Sequence, residues 1–205
     1  MPASSESGKP ESGKPESGRS PDGGKLRVYV PATVPMLREL VADREIRAIN
    51  DTAFAVTPTL REAYASGDDD ELAEVAMGEA ARASLRLLAE DREAAAVRAD
   101  EDDPEHPYSS PVYRRAVIAA DVPGATLRPD LDDAVVRLSA AVTYQQIASV
   151  HVDLAEAEPA VAKAVDVVDA ADLGDEDAEF VLGDAEDHQL AWYATQELPF
   201  LLELM

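Results

Sequence analysis

Residues 147–153 read Ile-Ala-Ser-Val-His-Val-Asp, and this stretch decides the predicted fold. Small or β-branched apolar residues occupy alternate positions, while Ser149, His151 and Asp153 occupy the positions between them. Because successive side chains of a strand point to opposite faces, the alternation predicts a central β-strand. Asp153-Leu-Ala-Glu156 has the form of a capping box, in which the aspartate accepts from an early helix amide. The strand is therefore expected to turn directly into a helix.

Further strands and helices are predicted on both sides of this stretch. Runs of β-branched and apolar residues predict strands at 26–30, 53–56, 115–120, 134–142 and 190–194. Helical spacing of apolar residues predicts helices at 34–41, 58–66, 68–91, 154–169 and 180–186. The segment 93–111 loses this spacing and gathers acids and prolines, which is typical of a loop.

The order of these elements favours an α+β fold. We expect a mixed β-sheet with helices packed on one face, of ferredoxin-like type. Val28-Tyr-Val-Pro31 before one helix resembles Val150-His-Val-Asp153 before another, which leaves an internal duplication open.

The first 25 residues differ from the rest in composition. Residues 6–20 form a short tandem repeat of Glu, Ser, Gly, Lys and Pro, with no apolar side chain. Such a segment buries too little surface to offset the ordering of its backbone. Residues 1–25 are therefore predicted to be a disordered low-complexity tail, and residues 26–205 a single α+β domain.

The net charge of −24 limits the kinds of molecule that this protein is expected to bind. The first 25 residues hold four basic and four acidic side chains, so the whole excess belongs to residues 26–205. This charge repels the phosphates of nucleic acid and anionic lipid, so we expect neither nucleic acid nor membrane as a direct partner. A protein with a basic surface is the partner that fits, although the charge also serves solubility. With no cysteine, no membrane-spanning run and no signal sequence, a cytoplasmic protein is expected.

Several segments resemble an uncharacterised family of actinobacterial proteins. They are Arg27-Val-Tyr-Val-Pro-Ala-Thr33, Ala119-Ala-Asp-Val-Pro123, His151-Val-Asp153, Trp192-Tyr193 and Glu197-Leu-Pro199. The resemblance spans Leu26 to Leu202. It implies a bacterial cytosolic protein and supplies no catalytic residues.

His151, Asp153 and Asp121 are the candidate catalytic residues. Ser149, His151 and Asp153 are the residue types of a nucleophilic triad, but alternate strand positions lie roughly 6.6 Å apart. This spacing argues against hydrogen bonds between them. A second argument is that the residues of known triads come from separate secondary-structure elements. His151 acting as a general base beside a carboxylate from another strand, such as Asp121, fits better. The competing interpretation is a structural histidine.

No metal site and no cofactor are predicted. The acidic run Asp172–Asp177 lacks a glycine at the sixth position of a calcium loop, and its distal glutamate is out of register. The three histidines are not at ligand spacing. No glycine-rich phosphate-binding pattern occurs.

Aromatic residues offer a second kind of site. Trp192 and Tyr193 are neighbours in a predicted strand and should face opposite sides of the sheet. With Tyr29 they are the candidate partner-binding residues, because aromatic side chains dominate interface energetics. Core packing is the commoner use of such residues.

Three functions follow from these patterns. The first is a non-enzymatic acidic domain that acts through protein–protein interaction. The alternative is a small hydrolase or isomerase of unrecognised type that uses His151 with a nearby carboxylate. A third is mimicry of nucleic acid by the acidic C-terminal half.

Overall fold

A computed structural model describes residues 24–64, 66–99 and 112–205. Apart from Gly24 and Lys25, the predicted disordered tail lies outside the described residues. The prediction of an α+β fold is confirmed, with a mostly antiparallel sheet of seven strands and a separate two-stranded ribbon.

The described residues form nine strands and six α-helices. The strands are β1 (Leu26–Ala32), β2 (Glu45–Ile46), β3 (Thr52–Phe54), β4 (Ala116–Val122), β5 (Thr126–Leu127), β6 (Val135–Arg137), β7 (Val142–Thr143), β8 (Ile147–Val152) and β9 (Ala191–Tyr193). The helices are α1 (Val34–Asp43), α2 (Pro58–Ala63), α3 (Asp69–Ala99), α4 (Glu158–Asp172), α5 (Glu176–Glu186) and α6 (Leu198–Glu203).

The large sheet has the order β5-β6-β3-β1-β4-β8-β9, and its paired strands are antiparallel. β4 is an interior strand between β1 and β8, as its nearly continuous apolar sequence predicts. β2 pairs with β7 in the small ribbon. β1, β4 and β8 are the long strands of the sheet, and most neighbouring strands in it are not consecutive along the chain.

Helices cover both faces of the sheet, so the prediction of helices on one face is wrong. Leu37 of α1 and Leu198 of α6 share a core with Val28, Val30, Ile118 and Val150 on one face. On the other face, Leu72, Ala76 and Ala80 of α3 pack on Tyr29, Val117 and Ala119. The physical reason is that β4 is apolar at successive positions, and both of its faces must be buried. Neither the ferredoxin-like type nor the duplication is confirmed.

A third core joins the helices α3, α4 and α5. It contains Leu85 and Leu88 of α3, Val161 and Val165 of α4, and Leu182 of α5, without a residue of the large sheet. α4 and α5 thus form a helical hairpin that rests on α3. Among the described residues, no helix combines the length and the hydropathy that a membrane span needs.

Local capping sets where α2 and α3 begin. Thr57 Oγ1 accepts from the Leu60 amide at 3.0 Å at the start of α2. At the start of α3, Asp68 and Glu71 form the predicted capping box, with bonds of 2.9 and 3.0 Å. α3 extends to Ala99 rather than to about Asp91, so it fixes one long wall above the sheet.

Candidate functional site

The face of the sheet beneath α3 carries most of the predicted site residues. The pairing register aligns Tyr29, Ala119 and Ser149 across β1, β4 and β8. The neighbouring row aligns His151 with Trp192 across β8 and β9. A cleft of about 240 Å³ lies between this face and α3, and we call it the histidine cleft. Its lining residues are Arg27, Tyr29, Ala73, Glu74, Met77, Ala119, Ser149, His151 and Trp192.

Ser149 and His151 are in direct contact within this cleft. Ser149 Oγ lies 3.1 Å from His151 Nε2, so the expectation that strand spacing keeps these side chains apart is wrong. The spacing of roughly 6.6 Å applies to the extended backbone, and the two side chains lean toward each other. β8 is also irregular here: Ile147 pairs with Ala120 and Ser149 with Ala119, which leaves Ala148 as a bulge. A bulge increases the local twist and re-aims the side chains next to it.

His151 is held in its neutral form. Burial lowers the pKa of His151, and the positive charge of Arg27 lowers that pKa further. The usual pKa of histidine is about 6.5, so the ring is neutral at pH 7. A neutral ring has one nitrogen that accepts and one that donates. With Nε2 as the acceptor, the Ser149 hydroxyl is the donor, which is the arrangement that a general base requires.

Acidification is expected to destabilise the protein through His151. Because its pKa is lower in the folded chain, the unfolded chain binds more protons below about pH 6.5, and the free energy of unfolding falls as the pH drops through that interval. The charged and titratable groups that face the ring are Arg27 and Tyr29 of β1 and Glu74 of α3. Thermal unfolding between pH 7 and 5 should show a smaller loss of stability for His151→Asn than for the wild type. Equal losses would contradict the assignment.

Asp121, a predicted partner of His151, is bound to Arg27 instead. The guanidinium donates from Nε and Nη2 to the two carboxylate oxygens, at 2.7 and 3.0 Å. This hydrogen bonding lowers the pKa of Asp121 and keeps it ionised. Among the hydrogen bonds of the described residues, the partner of His151 is therefore Ser149 and not a carboxylate.

Asp153 is buried and binds Arg115. Its carboxylate accepts from the Arg115 backbone amide, Nε and Nη2, each at 2.8 Å. The exposed fractions of the two side chains are 2% for Arg115 and 0% for Asp153. The predicted capping box is wrong, because this carboxylate is taken up by Arg115 and the following turn has no side-chain cap. A short 3₁₀ turn, Ala155–Ala157, separates β8 from α4.

A larger cleft of about 510 Å³ adjoins the histidine cleft along α3. The two share Glu74 and Met77 in their linings. Its other polar lining residues include Glu79, Arg82, Arg115 and Glu186. Burial raises the pKa of Glu79, and the charge of Asp132 adds to that effect. Sequence reasoning missed this cleft because its walls come from segments far apart in the chain.

The three aromatic candidates lie in different surroundings. Trp192 is 60% exposed and lines the histidine cleft. Tyr193 is half-buried against the core of the opposite face, as the alternation of strand residues predicts. Tyr29 is buried beneath α3. Of the three, Trp192 offers the largest exposed surface.

The helical hairpin concentrates negative charge. Residues 158–187 hold eleven acidic side chains and one basic side chain, Lys163, and we call this segment the acidic hairpin. Arginines of α3 neutralise only its inner side, where Arg82 binds Glu179 and Arg86 binds Asp172. The outer acids are exposed and belong to none of the ion pairs found among the described residues; they are Asp169, Asp175, Glu176, Asp177, Asp184 and Asp187. Sequence reasoning found this charge excess but not its placement on one hairpin.

Comparison with known proteins tests the expected resemblance to an uncharacterised family. No curated protein and no solved structure matches the chain. A family model matches residues 26–202, which is the span over which the resemblance to an uncharacterised family was expected. The match begins after the glycine- and serine-rich repeat and includes both clefts and the acidic hairpin. The chain therefore belongs to DUF6912, a family of unknown function.

Proposed function

We propose that this protein is a non-enzymatic binding domain whose acidic hairpin contacts a partner protein with a basic surface. The observation that carries the proposal is the set of exposed carboxylates on and beside α4 and α5 that join none of the ion pairs among the described residues. A surface of one sign attracts a partner of the opposite sign and repels nucleic acid. The partner is thus expected to be a protein rich in Lys and Arg.

Exposed apolar residues within the acidic hairpin support the same function. Leu173 is 89% exposed at the end of α4, and Phe180 is 75% exposed on α5. Apolar side chains at the centre of an interface supply binding energy, whereas charges at its rim supply specificity and association rate. An amphipathic basic segment of the partner would contact both kinds of residue.

Charge neutralisation on the acidic hairpin is expected to weaken the complex. The triple variant Asp169→Asn, Asp177→Asn and Asp184→Asn should bind a partner captured from cell extract about tenfold less tightly at low salt, which corresponds to about 1.4 kcal/mol. The wild-type affinity should itself fall as salt rises, because exposed charges are screened beyond about 8 Å at physiological ionic strength. Titration of the purified partner at low and high salt measures both effects.

A matched control lies on the opposite face of the sheet. Glu39, Asp43 and Glu45 are exposed on and beside α1, and their neutralisation changes the net charge by the same amount. This second triple variant should keep wild-type affinity. Equal weakening by the two triple variants would show a response to net charge alone and would overturn the assignment to the acidic hairpin. Displacement of a DNA-binding partner by duplex DNA would indicate mimicry of nucleic acid instead.

A second candidate function is a small hydrolase or isomerase centred on His151. The hydrogen bond between Ser149 Oγ and His151 Nε2 favours it, because a neutral imidazole in contact with a hydroxyl can remove its proton. The site opens to solvent through the histidine cleft, whose walls include both apolar and charged side chains. Turnover that depends on His151 is the property that distinguishes this function from pure binding.

A further inference from the structure

We infer that Ser149 is a nucleophile activated by His151, and that the histidine cleft hydrolyses small esters. This inference rests on the second candidate function and assigns it a covalent mechanism and a substrate class. It concerns a site separate from the acidic hairpin.

The geometry of the pair carries the inference. A serine nucleophile needs a base within about 2.6–3.2 Å of its hydroxyl, and the distance from Ser149 Oγ to His151 Nε2 is 3.1 Å. Ser149 is largely buried, whereas His151 is only half-buried. Both line the histidine cleft. The β-bulge at Ala148 lies directly before Ser149, and bulges are frequent next to active sites.

Other roles for the pair are less consistent with its surroundings. The cross-strand partners of Ser149 and His151 on β4 are the apolar residues Ala119 and Val117, so the two polar side chains add nothing to the apolar core at this face. The two nearby arginines are already paired, Arg27 with Asp121 and Arg115 with Asp153. Neither side chain is therefore required to neutralise Arg27 or Arg115.

The reaction balances without a cofactor. Ser149 Oγ attacks the ester carbonyl carbon while His151 Nε2 takes the hydroxyl proton. The carbon–oxygen bond to the alcohol then breaks, and the imidazolium returns its proton to the departing alcohol. Water attacks the acyl-serine, its proton passes through Nε2 to Ser149 Oγ, and the carboxylic acid leaves. The described hydrogen bonds include no carboxylate that orients His151, so turnover is expected to be slower than in a full triad.

The cleft indicates the substrate class. Its volume of about 240 Å³ accommodates a short acyl group. Ala73, Met77 and Trp192 provide apolar contacts for that group. Glu74 lines both clefts, and the net charge of −24 repels anions. Neutral or cationic short-chain esters are therefore the expected substrates.

Covalent labelling tests the nucleophile directly. The full chain is treated with a fluorophosphonate probe, in which Ser149 Oγ would displace fluoride from phosphorus, and the adduct is located by peptide mass spectrometry. We expect one adduct on Ser149 in the wild type, none in Ser149→Ala, and labelling at least about 100-fold slower in His151→Gln. Ser139, an exposed serine outside both clefts, supplies the control variant Ser139→Ala, which should label like the wild type.

Turnover of p-nitrophenyl acetate distinguishes the covalent mechanism through Ser149 from the more general second candidate function, which needs only His151. Loss of turnover in both Ser149→Ala and His151→Gln, together with the adduct, supports the covalent mechanism. Turnover that needs His151 but not Ser149 would overturn the nucleophile while leaving the second candidate function in place. A folded wild type with neither adduct nor turnover would overturn both. Circular dichroism of each variant shows whether it is folded, and the wild-type labelling result does not depend on any variant.

Discussion

Replacing Asp153 with alanine is expected to lower the free energy of unfolding by about 3–5 kcal/mol. The substitution removes a carboxylate that accepts three hydrogen bonds from Arg115, and it leaves a guanidinium that is 2% exposed. An unpaired buried charge is far costlier than a lost surface pair, since its desolvation is no longer compensated. Chemical denaturation with two spectroscopic probes measures the change.

The exposed pair of Arg27 and Asp121 provides the matched control. Its geometry is similarly bidentate, but its side chains are 46% and 38% exposed. Asp121→Ala should therefore cost less than about 1 kcal/mol. A double variant, Arg115→Met with Asp153→Leu, should recover much of the stability lost in Asp153→Ala, because it removes both charges. A cost below about 1 kcal/mol for Asp153→Ala would show that the pair is not held as the structure indicates.

The role of Asp153 could not be predicted from its neighbours alone. Aspartate followed three residues later by glutamate matches a capping box, and the same pattern at Asp68 does cap α3. At Asp153 the competing donor is Arg115, which lies 38 residues earlier in the chain. Antiparallel pairing of β4 and β8 brings the two residues together, so the contact depends on strand order. The pair Arg114-Arg115 directly before a nearly continuous apolar strand was the only local signal.

The sequence predicted the position of β8 and the face shared by Ser149 and His151. It did not predict their contact, because the argument used the backbone spacing of an ideal strand and ignored side-chain length and the bulge at Ala148. Asp121 was proposed as a carboxylate partner of His151, and its pairing with Arg27 followed only from the register of β1 and β4. Candidate residues were therefore easier to predict than their partners.

The sequence contained enough information to predict that helices cover both faces of the large sheet. β4 is apolar at each of the positions 116–120, and a strand of that kind needs a layer on both sides. Placing all helices on one face contradicted this pattern. The extent of α3 was missed for a different reason: residues 94–96 are all alanine, which favours a helix without showing an apolar stripe.

Replacing Leu182 with alanine is expected to detach the acidic hairpin from α3. Leu182 is fully buried in the core that α3, α4 and α5 share, and a buried Leu→Ala substitution costs about 2–5 kcal/mol. The ion pairs Arg82–Glu179 and Arg86–Asp172 cannot compensate, since partly exposed pairs contribute at most about 1 kcal/mol each. Hydrogen exchange should show amides of α5 losing protection before those of β4, because this core includes no residue of the large sheet.

Leu173→Ala distinguishes this packing effect from a general response to the loss of a leucine. Leu173 is 89% exposed at the end of α4, so its truncation should change the free energy of unfolding by less than about 0.5 kcal/mol. Both variants should weaken partner binding, but for different reasons. Leu173→Ala should remove a contact with the partner while the fold stays intact. Leu182→Ala should weaken the complex only by displacing the acidic hairpin. Equal stability losses in the two variants would mean that the acidic hairpin is not anchored through Leu182. Since the exposed carboxylates are presented only while α4 and α5 stay on α3, the stability of this small core sets the fraction of molecules competent to bind.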